Sequence, residues 1–90
     1  MSIEAFVQAR LAERAADVDA ITSALFHAEI DRHGTGPGSA SYGNVWSRSE
    51  QTAAQLLATP SAAREQPESD LRAVAAVWSD HPDYQQEWAL

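Results

Sequence analysis

The chain has no cysteine and no lysine among its 90 residues. Without cysteine there is no disulfide framework and no thiolate metal site. The missing lysine, beside many alanines and arginines, points to GC-rich coding, a property of a genome rather than of a fold. No stretch of about 18 apolar residues occurs, and no charged-then-apolar leader opens the chain. A soluble cytoplasmic protein that engages no membrane is the expectation. Large apolar side chains are also scarce. The hydrophobic share is 44%, but 18 of those 40 residues are alanine, which leaves 22 larger ones. Ninety residues make a single domain, 1–90, near the lower limit for folding without staples. So thin a core must still offset the entropy of ordering the chain, and a self-association surface would ease the shortage.

What is present is acid. Thirteen carboxylates against six arginines give a formal charge of −7. Such a balance repels nucleic-acid backbones and anionic membranes, so direct nucleic-acid binding is not expected. A basic protein surface is the natural electrostatic partner.

The hydrophobic spacing predicts an all-α fold. Ile3, Val7, Leu11, Val18, Ile21, Leu25 and Ala28 fall three, four or seven apart on one stripe. They predict one long helix over about 3–32, capped by Ser2 and ended by Gly34. At 1.5 Å per residue it would be a rod of roughly 45 Å, too long for so small a domain to cover. Arg14 interrupts the stripe. It either snorkels out to an acid such as Asp17 or forms an ion pair that sets the register with a second helix. All four glycines fall in "GTGPGSASYG", which predicts a loop over about 34–45. No strand precedes it, so a dinucleotide-type phosphate cradle is not supported. "SRSE" places Ser47 and Glu50 as a capping box, opening a helix at about 48–58. Thr59–Pro60 fits a cap followed by proline at the first helical position, giving a short helix at about 60–66. Leu71, Val74, Ala75 and Trp78 mark a further helix at about 68–79. Pro82 ends it by disfavouring helical backbone at His81, and a turn follows at 82–88.

That last turn holds "DHPDYQQEW", an unusual density of rings and acids for a chain end. In helical geometry Tyr84 and Trp88 share a face and would fold back over Trp78 as an aromatic clasp. Burial of two rings contributes roughly 3–5 kcal/mol before entropy. Left exposed, Trp46, Trp78, Tyr84 and Trp88 would instead form a partner-binding patch, since Trp and Tyr are common interface anchors. Both readings stand on these residues.

"LRAVAAVWSDHPDYQQEW" resembles the closing segment of an uncharacterised family of small actinobacterial proteins, found in Streptomyces and their phages. "IEAFVQARLAERAADVDAI" is similar to the same family's first helix. The resemblance covers the two chain ends. It implies a bacterial or phage origin and a cytoplasmic setting, and it carries no activity with it.

Chemistry is weakly signalled. His27 with Asp31, and Glu29 with His33, are four apart, but the two histidines point to different sides of a helix and cannot share one metal. His81 sits between Asp80 and Asp83 with no nucleophile tied to it. No catalytic, cofactor-binding or metal-ligating residue is therefore assigned, and no enzyme is expected. The expectation is a small helical bundle with one long helix, two to three shorter ones and the C-terminal clasp. It would serve as an acidic protein–protein interaction or regulatory module. The most natural partner is a second copy, through Val7, Leu11, Arg14, Val18 and Leu25 on the long helix, with Trp46, Trp78, Tyr84 and Trp88 as further contact candidates. The alternative is a phage-type acidic inhibitor that mimics DNA.

Overall fold

The Ser2 hydroxyl accepts the Ala5 amide at 3.1 Å and opens the first helix, α1, Ile3–Ala12. The structure, a computed structural model, describes residues 1–33 and 42–89. Three more α-helices follow: α2, Val18–His33; α3, Tyr42–Ala58; and α4, Glu68–Ala75. Short 3₁₀ turns lie at Pro60–Glu65, Ala76–Trp78 and Gln86–Ala89. Among the described residues there is no strand, so the fold is all-α.

The single helix expected over 3–32 is two. Arg14, the residue that broke the stripe, adopts the left-handed conformation at φ 52°. Its amide donates to the Leu11 carbonyl at 3.0 Å, and the Ala15 amide donates to that of Arg10 at 3.2 Å. These two bonds form a Schellman ending, with arginine where glycine is usual. The chain restarts at once, because Asp17 Oδ1 accepts the Ala20 amide at 2.9 Å and caps α2. The molecule's longest extent is 40 Å, shorter than the rod. Helix α1 packs mainly on the 60–65 turn and α4, while α2 packs on α3 and α4.

Folding the stripe back on itself also meets the shortage of large apolar residues. Phe6, Val7 and Leu11 from α1 meet Ile21, Leu25, Leu56, Leu71 and Val74 in one core. Ala53, Ala62, Ala63 and Ala75 are buried among them. Their small side chains let the helices approach closely, so fewer large ones are needed to exclude water. Thr22, fully buried, returns its hydroxyl proton to the Val18 carbonyl at 2.7 Å.

Three further features differ from expectation. Helix α3 begins at Tyr42, so Ser47 and Glu50 are exposed on its interior turns and do not cap it. Its buried face starts earlier, at Val45. Of the loop expected at 34–45, residues 42–45 are thus helical, and 34–41 lie outside the described residues. Thr59 precedes Pro60 as anticipated, but its side chain makes no capping bond. The tail is no continuous helix either. Its amides at His81, Tyr84 and Trp88 donate to Trp78, His81 and Gln85, a succession of three-residue turns.

Candidate functional site

Two places on the fold gather chemistry. At the first, the tail lies on α1. Phe6 is the centre, completely buried. Around it stand Trp88, with ring centroids 5.0 Å apart, His81 at 5.5 Å, Tyr84 at 6.1 Å and Trp78 at 6.4 Å, most of them edge-on. Tyr84 and Trp88 also meet, at 5.6 Å. One turn further along α1, the guanidinium of Arg10 sits 5.4 Å from the Phe6 ring centre, in cation–π range. Arg10 is buried and pairs with Glu13 at 2.6 Å.

Arg10 Nη1 lies 2.5 Å from His81 Nε2, while His81 Nδ1 receives the Asp83 amide at 3.0 Å. A neutral imidazole has one lone pair in its plane to offer. The two donors therefore compete for it. Arg10 Nε and Trp78 Nε1 are buried with no hydrogen-bond partner among the described residues. Each such donor forgoes roughly 1–3 kcal/mol, which the packing around Phe6 must outweigh.

The second place joins α2, α3 and α4. Phe26 and Trp46 stack edge-on at 5.4 Å, both half-buried and both outside the core. Beside them a chain of charges ties the helices: Arg32 pairs with Glu29 and reaches Asp70 at 3.3 Å, and Arg48 reaches Glu29 at 3.4 Å. Burial pushes the Asp70 carboxyl above the usual carboxylate range, against the downward pull of Arg32, and Glu29 adds slightly to the rise. A cleft of about 180 Å³ opens here, lined by Leu25, Glu29, Val45, Arg48, Ser49, Thr52 and Asp70.

The residues singled out from the sequence scatter over these places. Val7, Leu11 and Leu25 are core residues of one chain, at 0%, 1% and 4% exposure. They cannot form a seam to a second copy without unfolding the first. Arg14 is exposed and shapes the helix break rather than a register-setting pair. Val18 is 41% exposed at the start of α2. Trp78 and Trp88 are buried at the tail, Tyr84 is half-buried beside them, and Trp46 stands apart. The four aromatics thus form no common patch. His27 is exposed on α2, and the side chain of His33 lies outside the described residues. Among the described residues no three His, Asp or Glu side chains converge as metal ligands, and no helix is long and apolar enough to cross a membrane. Reading the sequence missed Phe6, Arg10, Phe26, Ser49 and Asp70. Phe6 and Arg10 alone left a local trace, being four apart on one helix.

Compared with protein-family models, curated proteins and solved structures, the chain matches none.

Proposed function

We propose that this chain is a small, non-enzymatic interaction module that docks a basic protein surface through the α2–α3 face around Trp46. The observation that carries the reading is Trp46 itself: a tryptophan half-buried against Phe26 and outside the core. Large aromatics with one face still open are characteristic anchors of interfaces. The surrounding acids and the charge of −7 favour a cationic partner and speed its approach.

A second copy of the chain is the other reading; it would bring a like charge of −7 to this face, and it could not use Val7, Leu11 and Leu25, which the core already occupies. The DNA-mimic alternative gains no support, since Arg10, Arg32, Arg48 and Arg72 each pair with an acid. Arginines interspersed in this way break up a phosphate-like row. The tail, in the same proposal, is a clasp that holds α1 to the domain. A bacterial or phage origin is proposed from the likeness of the two chain ends.

The test is a Trp46→Ala variant of the full chain. Capture of a defined partner from the source cell should be lost while the melting temperature stays within a few degrees. Sedimentation of wild type and variant tells self-association from binding to a different chain. Undiminished capture by the variant would overturn the reading.

A further inference from the structure

The cleft between α2, α3 and α4 offers hydrogen-bond acceptors with little to do. Ser49 is only 6% exposed and lines the cleft. Its hydroxyl has no partner among the described residues, neither a helix carbonyl nor a side chain. The residue is nearly enclosed, but its hydroxyl is not one of the buried unpaired atoms, so it is reached from the cleft that it lines rather than turned back to the helix. Thr52, one turn on and on the same face, likewise makes no hydrogen bond. Opposite them stands Asp70 of α4, whose Oδ1 has only a long 3.3 Å contact with Arg32. The remaining wall is apolar: Leu25 and Val45 are each 4% exposed. A partly desolvated carboxylate, two idle hydroxyls and a hydrocarbon wall thus face one small space.

We infer that this cleft is a binding site for a primary alkylammonium group, with Asp70, Ser49 and Thr52 accepting its protons and Leu25 and Val45 packing on its methylenes. The chemistry selects the ligand. An ammonium has three donors and no acceptor, which matches three acceptors that are otherwise under-used. It is compact, and a cleft of about 180 Å³ admits it. Its charge compensates a carboxylate that burial alone leaves costly to ionise. Arg48 also lines the cleft but is turned to Glu29, which leaves Asp70, with only its long contact to Arg32, as the charge least compensated. A hard divalent cation needs more carboxylate oxygens than converge among the described residues. A quaternary ammonium has no proton for Ser49 or Thr52.

The ammonium has two sources, a free small amine or the side chain of a lysine on a docking protein. The site is inferred from the cleft alone and does not depend on Trp46 anchoring a partner.

The experiment titrates the ¹⁵N-labelled full chain with n-butylammonium chloride at constant ionic strength, following backbone amides. Saturable shifts centred on Ser49, Thr52 and Asp70 are expected. 1-Butanol and tetramethylammonium chloride, each at the same concentrations, should give neither saturation nor that footprint. Asp70→Asn should weaken binding about tenfold, the worth of a charge-assisted hydrogen bond. Ser49→Ala should weaken it less while the protein melts as wild type, which keeps the test valid should Asp70→Asn fold poorly. Nα-acetyl-lysine methylamide and its Nε-acetylated form separate the sources. The same footprint with the free lysine side chain, absent on acetylation, means that a protein's lysine enters. Binding of butylammonium alone assigns the site to a small amine. Shifts that never saturate, or an equal response to butanol or tetramethylammonium, would overturn the inference. So would unchanged binding in Ser49→Ala and Asp70→Asn.

Discussion

Both ends of this molecule put aromatic rings beside an arginine, with opposite results. Around Phe6 the rings crowd a fully buried centre, and Arg10 is enclosed with them. Around Trp46 two rings pair side by side, and the nearby Arg48 is 62% exposed at its side chain. The difference lies in what the rings have to pack against. At the tail a ring from α1 is encircled by groups from the far end of the chain, so each added contact removes more water. At the α2–α3 face Phe26 meets Trp46 and the exposed His27, none of them fully buried, and charged side chains lie beside them. Aromatics of the same kind are thus enclosed at one end and half-open at the other.

Five substitutions follow from the structure, and the two at tryptophans test that division directly. Trp88→Ala strikes the enclosed end and should cost most, about 3–5 kcal/mol for a buried aromatic replaced by alanine. That is a large part of the stability of so small a domain. A thermal melt reads it, and a loss under about 1 kcal/mol would show that the tail holds little.

Next in size are the two residues that fold α1 back from α2. Arg14→Gly relieves a left-handed arginine and should raise stability by about 1 kcal/mol. For a domain of this length that amounts to roughly 4–8 °C in Tm. Asp17→Ala removes the cap of α2 and should lower stability by about 1 kcal/mol. A gain from Asp17→Ala, or a loss from Arg14→Gly, would mean that the break is not set where these bonds place it.

Trp46→Ala strikes the open end and should cost about 1 kcal/mol or less in denaturant titration, close to a surface change. If it rivalled Trp88→Ala, the contrast between the two ends would collapse.

The smallest effect belongs to Asp70→Asn, and its sign depends on pH. Burial raises the folded pKa of Asp70, so the folded chain holds this proton more tightly than the unfolded one. The contribution favours folding at low pH and is lost as pH rises through the raised pKa. Stability of the wild type relative to Asp70→Asn should therefore fall as pH rises above the usual carboxylate range. Denaturation at a series of pH values checks the direction.

How much of this was legible beforehand followed how local the cause was. The Ser2 cap, the stop before Pro82 and the proline at 60 are decided within a few residues, and the sequence predicts them closely. The break at residues 13–17 is also local. It hid because Leu11 and Val18, seven apart, keep the same face whether or not the helix continues, and because arginine stands where glycine usually signals an end. Ser47 and Glu50 misled in the other direction, since a capping pattern has no force inside a helix whose apolar face starts at Val45. The two candidate places were the least legible. Ser49 and Asp70 belong to different helices, and nothing in either segment says that packing will set them across one cleft. Phe6 lay off the stripe drawn through Ile3, Val7 and Leu11, and its ring neighbours are encoded at the far end of the chain.

That last separation has a consequence during synthesis. The contact between Arg10 and His81 spans 71 residues, and Gln85 Nε2 donates to the Met1 carbonyl across 84. At roughly 5–20 residues per second on the ribosome, α1 waits on the order of 4–14 s for its cover. Through that interval a bare phenylalanine and an unenclosed arginine ride on the nascent chain. Of the described helices, α1 is made before the tail that covers it, so Phe6 stays open to chaperones until residues 78–88 emerge.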